Sequence, residues 1–365
     1  MFKKYDNSIF KDLREQHNIF VLVGNGFDIS ILKRFKSGKM GGKTTSYTDF
    51  YEYISYYKFS NPNNILYRKM KEDRDDGKEN WSDFENTIIE LLESNNISTL
   101  EDSIDEFQSY FTIFLNDLVD ADVLLKLNEE VKESRLSIQS LSEFLKDIRN
   151  LNELNFIKSL NHYDLYNFIF ANFNYTSLLN NYIYLDKHQF DPHRYVEADR
   201  NFSFKFRLPG YSQTEYSSYV ISDVIYPHGM QNIPRSILFG IDLKEYDIGR
   251  GLEKRLVKGY WSQYNSKYKS YIEQADLFII YGMSLGLSDA WWMDQIFDSI
   301  VEREVELIIY MYGDYNEDYV KESFISCCIR HESSNEYEKA KVKNNIHVVT
   351  FNKNNTYFLG LEKLI

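Results

Sequence analysis

The chain has 365 residues, with 43% hydrophobic and 16% aromatic residues and a formal net charge of −13, so it can bury a large core in one or two domains. This charge argues against a protein that binds broadly to the phosphate backbone of nucleic acids. No apolar run approaches the ~18 residues of a membrane-spanning helix, and residues 1–16 lack a signal-peptide pattern, so we expect a cytoplasmic protein without a membrane anchor.

The first predicted strand is residues 19–23, which a glycine turn follows. The strand is entirely apolar, as in a parallel sheet that is covered on both faces. Gly24-Asn25-Gly26 then leads into a helical pattern, and free N–H groups at such a helix start favour a phosphate. The third glycine of the dinucleotide fingerprint is replaced by Ile29. A tight structural turn and a nucleotide-phosphate site both remain open.

Residues 35–45 contain Gly42-Lys43-Thr44, which is the sequence with which a P-loop ends. Ser37 occupies the position of the first P-loop glycine, and the preceding residues are helix-like instead of a buried strand. We therefore predict a flexible basic loop, followed by a short aromatic helix.

Residues 61–160 are predicted to form a helical insertion after the first strand–helix unit. Ser82 and Glu85 have the spacing of a capping box. The apolar residues between Leu100 and Leu118 recur at intervals of three and four, which indicates a long amphipathic helix. This insertion shows no strand pattern and no residues with a recognisable chemistry.

Further strands are predicted in the second half of the chain, most of them followed by a turn and a helix. Residues 186–215 are predicted to be irregular and residues 251–270 to be helical. The repeated pattern of strand, turn and helix favours α/β architecture, a doubly wound, mostly parallel, Rossmann-like sheet in a single domain. The predicted strands are residues 168–173, 219–226, 236–239, 276–281, 305–312 and 346–351.

Polar residues follow the ends of four predicted strands. Ligands of doubly wound sheets bind outside the carboxyl ends of the strands, so the topology gathers these residues at one crevice. The polar segments are residues 24–28, 174–177, 228–229 and 282–289.

Within these segments, each candidate has a functional and a structural explanation. Asn174 either faces a ligand or caps the end of its strand. His228 lies between Pro227 and Gly229 on a constrained turn, where an imidazole serves as a general base, binds a ribose hydroxyl, or only stabilises the turn. Ser284 and Asp289 contact a ribose or phosphate, or Ser284 caps the following helix.

No metal site is predicted. His188 and His193 with Asp191 form an incomplete ligand set. Cys327 and Cys328 are adjacent, and we interpret them as reduced, buried thiols.

The order of these motifs resembles the AbiH abortive-infection family of bacterial anti-phage proteins. It is also similar to the sirtuin-like domains of phage-defence NADases, in which comparable turns surround NAD. The resemblance is carried by GNGFD at 24–28, TSYTDFY at 45–51, WSDFE at 81–85, FNYT at 173–176, HG at 228–229, and GMSLG at 282–286 with Asp289.

The resemblance implies a sirtuin-like site with NAD as the substrate. Asn174 would position the nicotinamide ribose or the attacking water, and His228 would be the base on that ribose. Gly24, Gly26 and Ser284 would hold the diphosphate and adenosine side. The implied binding set is Gly24, Asn25, Gly26, Asp28, Thr176, Gly282, Ser284 and Asp289, with no metal.

Two residues depart from the sirtuin-like pattern. Thr176 stands where an Asp is usual, and Asp28 stands where a small hydroxyl residue is expected. The four zinc cysteines of sirtuin deacetylases are absent, so we reject protein deacetylation.

The resemblance implies an antiviral defence protein, for which we consider two hypotheses. The first is a hydrolase that cleaves the N-glycosidic bond of NAD to give nicotinamide and ADP-ribose, with cyclisation still open. The second is a non-catalytic module that senses NAD, ADP-ribose or a related nucleotide and acts through a partner protein. A nucleic-acid-acting toxin is disfavoured by the charge. By analogy we expect a homo-oligomer, and a phage-derived trigger or co-encoded partner is compatible with either hypothesis.

Overall fold

The computed structural model describes residues 1–57, 63–79, 81–94, 97–184, 202–208, 210–242, 256–353 and 355–364. Their strands are β1 (Gln16–Val23), β2 (Leu165–Asn172), β3 (Ser203–Phe206), β4 (Thr214–Ser217), β5 (Tyr219–Ile225), β6 (Leu277–Tyr281), β7 (Glu306–Tyr312) and β8 (Ile346–Phe351).

The α-helices of the described residues are numbered here in chain order. They are α1 (Asn25–Phe35), α2 (Tyr47–Tyr56), α3 (Ile65–Asp75), α4 (Phe84–Ser94), α5 (Ile97–Leu118), α6 (Ala121–Ser134), α7 (Leu136–Ser142), α8 (Leu178–Tyr184), α9 (Lys258–Trp261), α10 (Tyr264–Lys267), α11 (Lys269–Glu273), α12 (Ala290–Arg303), α13 (Glu317–Cys327) and α14 (Glu336–Asn344).

Six strands form one parallel sheet in the order β5–β2–β1–β6–β7–β8. The chain moves outward from β1 through β2 to β5, and then returns to the other side of β1 for β6, β7 and β8. This arrangement is the doubly wound α/β sheet that the sequence predicted. The direction of winding reverses between β1 and β6, and the carboxyl ends of these two strands are where such sheets bind ligands.

The apolar run of β1 is required because both faces of the sheet are covered. Val21 and Val23 pack into the cluster that contains α1 and α5, and Phe20 and Leu22 pack into the cluster that contains α12. Each fully buried side chain of this kind contributes roughly 1.5–3 kcal/mol to folding.

Helices α3 to α7 lie within residues 61–160, as predicted. Helix α5 buries Phe107, Phe111, Phe114 and Leu118, whose spacing of four, three and four residues confirms the amphipathic pattern. These side chains join the same cluster as α1. The helices therefore cover the α1 face of the sheet. No helix in the described ranges is both long and apolar enough to cross a membrane.

Two secondary-structure predictions are wrong. The predicted strand at residues 236–239 is absent: Pro234–Ser236 is a 3₁₀ turn, and the N–H of Leu238 donates to the oxygen of His228 instead of to a sheet strand. Residues 186–215, predicted to be irregular, contain β3 and the start of β4, which form an antiparallel hairpin. Phe204 and Phe206 of this hairpin point into the core. Residues 185–201 and 209 lie outside the described residues.

The helix predicted at residues 251–270 is present only as short helical segments. Within residues 256–273 the helices α9, α10 and α11 replace one continuous helix, and residues 251–255 lie outside the described residues.

In the basic loop of residues 35–45, Lys36 Nζ lies 2.6 Å from Asp120 Oδ2, and Lys43 Nζ lies 3.1 Å from Asp49 Oδ1. No buried strand precedes it, so the P-loop interpretation stays rejected.

The turns after β1 and β6 pack directly on each other. The N–H of Gly26 donates to the oxygen of Gly282 at 2.9 Å. Gly282 has φ +66°, and a Cβ atom there would lie 3.0 Å from Gly26 Cα. Glycine is therefore required at both positions, because any side chain would push the two backbones apart.

We expect Gly282→Ala to destabilise the protein more than Gly42→Ala. Both glycines have positive φ, but a Cβ at Gly42 meets no atom within 4 Å. Gly42→Ala should cost only the left-handed backbone penalty of about 1–2 kcal/mol, whereas Gly282→Ala should cost at least about 3 kcal/mol because the turns must also separate. Urea unfolding measures both, and equal losses would show that the contact between the turns carries no packing energy.

Candidate active site

Three sequence-predicted residues form one buried hydrogen-bonded network beside the first glycine turn. Helix α1 places Asp28 in its first turn, and Asn174 and Thr176 follow the end of β2. Asn174 Nδ2 donates to Asp28 Oδ1 at 3.1 Å, and Thr176 Oγ1 donates to Asp28 Oδ2 at 2.6 Å. Asp28 is 0% exposed. Burial raises the pKa of Asp28 to about 7, although the hydrogen bonds from Thr176 and Asn174 oppose the shift.

This network fixes the orientation of the Asn174 side chain. Its Nδ2 also donates to the oxygen of Gly24 at 3.0 Å, and a carbonyl oxygen only accepts, so the amide cannot be rotated without losing this bond. The Asn174 Oδ1 atom accepts no hydrogen bond within the described ranges. The residue, which is only 4% exposed, therefore holds an oriented acceptor at the carboxyl end of β2.

A second buried cluster joins charges from three distant segments. Lys258 Nζ lies 2.9 Å and 3.0 Å from the two carboxylate oxygens of Glu85, and 3.6 Å from Asp289 Oδ1. The same Asp289 oxygen lies 3.3 Å from His228 Nε2. Lys258 is 1% exposed and His228 is 4% exposed. Helix α4, helix α9, the turn after β5 and the turn before α12 thus meet at one point.

The charge states of this cluster follow from burial and from the neighbours. Burial raises the pKa of Glu85 to about 7; Lys258 opposes the shift and Asp289 adds to it. Burial alone would lower the pKa of Lys258, but attraction to Glu85 and Asp289 raises it instead. Burial and the Lys258 charge lower the pKa of His228 well below its usual value. The imidazole is therefore neutral at pH 7.

The contacts of His228 distinguish its two ring nitrogens. Nε2 faces both Asp289 and the Tyr264 hydroxyl, which lies 3.0 Å away. Nδ1 has no hydrogen-bond partner in the part of the chain that the structure describes. The hydrogen bond of Nε2 is to the Tyr264 hydroxyl, and Asp289 Oδ1 lies close to Nε2 without a hydrogen-bond partner among the described residues. A proton on Nε2 would face Asp289 and leave the lone pair of Nδ1 available to a water or a hydroxyl.

The two networks meet at the segment after β2. The His228 ring lies edge-on to Phe173, with 5.0 Å between ring centroids, and its centroid is 6.4 Å from that of Tyr175. Phe173 and Tyr175 are the immediate neighbours of Asn174. The His228 ring therefore packs against the two residues that flank Asn174 in the chain.

The other predicted binding residues lie in the glycine turns. Asn25 is exposed and holds the chain after the basic loop: its Nδ2 donates to the Thr45 oxygen, and its Oδ1 accepts from Thr45 Oγ1. The N–H of Gly26, expected to face a phosphate, donates to Gly282 instead. Ser284 is exposed, and no contact in the described ranges joins it to either network.

Sequence reasoning missed Glu85 and Lys258. The capping-box interpretation of Glu85 is wrong, because its carboxylate pairs with Lys258. Glu85 could have been recognised from its position in the WSDFE motif. Lys258 lies in a basic aromatic segment, and no further sequence feature distinguishes it. In the described residues, no group of three His, Cys, Asp or Glu side chains is arranged to hold a metal. His188, Asp191 and His193 lie outside those residues.

The segment that contains the two networks also matches a known protein family. A family model described as "Bacteriophage abortive infection AbiH" matches residues 19–311. The matched segment contains both networks and both glycine turns. No curated protein matches the chain.

We expect Asp28→Asn to remove part of the pH dependence of stability. The folded state keeps a proton on Asp28 up to about pH 7, whereas the unfolded state releases it near pH 4. The contribution of Asp28 to the free energy of unfolding therefore falls as pH rises through this window, by up to about 1.4 kcal/mol per pH unit. Relative to wild type, Asp28→Asn should gain roughly 2 kcal/mol between about pH 5 and pH 7.

Urea unfolding at several pH values measures this difference. Asp102→Asn, at an exposed acid on α5, is the matched control and should parallel wild type. A constant difference between Asp28→Asn and wild type across the window would mean that Asp28 is ionised in the folded protein.

We expect Lys258→Met to destabilise the protein by about 3–5 kcal/mol, because it leaves the buried Glu85 carboxylate and the partly exposed Asp289 carboxylate without their cation. Adding Glu85→Gln should restore part of the loss. The exposed pair Lys269–Glu273 is the control, and Lys269→Met should cost less than about 1 kcal/mol. A double-mutant cycle measures the coupling, and strictly additive losses would contradict a direct Lys258–Glu85 interaction.

Proposed function

The chain belongs to the bacteriophage abortive infection AbiH family, which acts in defence against phage, and on that premise we propose that it is an enzyme that hydrolyses NAD at the nicotinamide N-glycosidic bond. The observation that carries the proposal is the pairing of an oriented Asn174 acceptor and a neutral His228 at one segment. This segment lies at the carboxyl edge of a sheet whose strand order suits a dinucleotide.

The reaction needs positioning more than a strong nucleophile. Water attacks C1′ of the nicotinamide ribose while the bond from C1′ to the ring nitrogen breaks. The bonding electrons return to the nicotinamide ring, which leaves uncharged, and the water proton passes to a base. The products are nicotinamide, ADP-ribose and a proton. The centre at C1′ resembles an oxocarbenium ion, so correct alignment of the water lowers the barrier.

His228 is proposed as the base through Nδ1. Burial keeps the imidazole unprotonated, so the lone pair is available at pH 7. When Nδ1 takes the proton, the Asp289 oxygen beside Nε2 stabilises the imidazolium that forms. Lys258 and Glu85 position Asp289, and they touch neither reacting atom.

Asn174 is proposed to hold the water or a ribose hydroxyl through Oδ1. Its Nδ2 atom is committed to Gly24 and Asp28, so the acceptor is fixed before the substrate arrives. Asp28 and Thr176 are too buried to touch a ligand in this conformation, and we assign them a positioning role.

The second candidate is a module that binds NAD or ADP-ribose and signals to a partner. Asp28 and Thr176 favour it, because they are fully buried and satisfy each other, as a purely structural network would. Binding of NAD without release of nicotinamide would distinguish this candidate from the enzyme.

We expect the purified protein to release nicotinamide from NAD, and His228→Ala and Asn174→Ala to reduce the rate by at least about a hundredfold, as is typical for loss of a general base or a positioning group. Release is followed by chromatography of the products.

His347→Ala is the matched control. His347 contacts Glu306 at 3.3 Å, at the start of the neighbouring strands β7 and β8, and its variant should keep the wild-type rate. Circular dichroism and thermal unfolding establish that each variant is folded. A folded His228→Ala protein that still releases nicotinamide at the wild-type rate would refute the assignment of the base.

A further inference from the structure

A separate cleft of about 420 Å³ lies at the carboxyl ends of β6, β7 and β8. Its volume is within the roughly 300–1,000 Å³ of small-molecule sites. Gly26 and Gly282 form one end of the cleft, and Tyr312 and Phe351 contribute aromatic rings. None of the side chains of the two buried networks lines this cleft. The cleft and the networks adjoin only at the glycine turns.

The cleft carries positive charge that no described acid neutralises. Lys33 and Lys353 line it, and neither makes an ion pair within the described ranges. Arg34 also lines it, but its guanidinium is committed to Glu130 at 3.1 Å and Glu362 at 2.9 Å. In a chain with a net charge of −13, two uncompensated lysines at one cleft favour an anionic ligand.

The cleft also offers an aromatic surface. Tyr312 is 56% exposed, and its ring lies edge-on to Phe351 with 5.6 Å between ring centroids. Phe351 therefore packs against one side of Tyr312, while the tyrosine residue as a whole remains exposed. An accessible ring next to two cations suits a ligand that combines a flat heterocycle with phosphate.

The topology gives this cleft a specific relation to the candidate active site. A doubly wound sheet binds a dinucleotide across the point where its winding reverses, with one half of the ligand on each half of the sheet. Here the reversal lies between β1 and β6, at the contact of Gly26 with Gly282. The residues proposed for chemistry lie at β2, β5 and the following turns, and the cleft lies over β6, β7 and β8.

We propose that this cleft binds a purine nucleoside monophosphate group, the adenylate half of the dinucleotide. Tyr312 stacks on the base, and Lys33 and Lys353 bind the phosphate. The inference rests on the proposed function in one respect, which is that the other half of the ligand is the nicotinamide half of NAD. It places the adenosine against α1 and β6–β8 instead of at Ser284.

The test is the dissociation constant of AMP, measured by calorimetry at low salt, for wild type and three variants. AMP contains no nicotinamide bond, so its binding is independent of catalysis. Wild type should bind AMP. Tyr312→Ala should weaken binding about tenfold through loss of stacking, and Lys33→Gln/Lys353→Gln should weaken it by at least about tenfold.

Lys4→Gln is the matched control, because it removes one exposed lysine elsewhere on the chain and should bind AMP like wild type. Adenosine and inorganic phosphate are titrated separately in the calorimeter, and each alone should bind more weakly than AMP. Phosphate that binds as tightly as AMP would overturn the base-stacking part and identify a simple anion site.

Failure of AMP to bind wild type, or equal binding by all variants, would overturn the inference even if nicotinamide release from NAD is observed. Conversely, AMP binding that depends on Tyr312 and the two lysines supports the cleft even if no nicotinamide is released. The two outcomes separate this inference from the proposed hydrolase activity.

Discussion

The close contact between the backbones of Gly26 and Gly282 determines where the functional groups lie. It joins the turn after β1 to the turn after β6, at the place where the winding of the sheet reverses. Helix α1 starts from one turn and carries Asp28, and the other turn leads to Asp289. Because a side chain at either glycine would separate the turns, the contact fixes both networks relative to the sheet.

The buried charges beside this contact are costly, and their cost indicates a role beyond folding. Well-packed apolar residues in place of Lys258 and Glu85 would often give equal or greater stability. The cluster instead keeps His228 neutral and places a carboxylate at its Nε2 atom. Perturbed titratable groups at the ligand-binding edge of an α/β sheet are typical of functional sites, which is why we propose chemistry here.

The sequence predicted the sheet well because the inner strands β1, β2, β6 and β7 each contain a run of apolar residues. It predicted 236–239 wrongly because the same kind of run also suits a buried loop, and only tertiary pairing decides between them. Asp28 and Thr176, which look like two separate departures from the sirtuin-like pattern, form a single hydrogen bond in the structure, with the acid on the turn and the hydroxyl after β2. The presence of Asp28 in the turn therefore explains the hydroxyl residue at position 176, and Thr176 explains the acid at position 28.

Glu85 and Lys258 show what sequence reasoning could not reach. The two residues are 173 positions apart, and an isolated Glu near a helix start has a sufficient local explanation as a cap. Only the fold brings α4 and α9 together around Asp289. Pairings over such separations leave no periodic pattern along the chain, so they become visible only when the tertiary structure is known.

A crystal structure of the His228→Ala variant with NAD bound tests the proposed site most directly. We expect the dinucleotide to cross the Gly26–Gly282 contact, with the nicotinamide ribose within hydrogen-bond distance of Asn174 and the adenine stacked on Tyr312. A dinucleotide bound away from the carboxyl edge of the sheet, or an empty edge at saturating NAD, would contradict it.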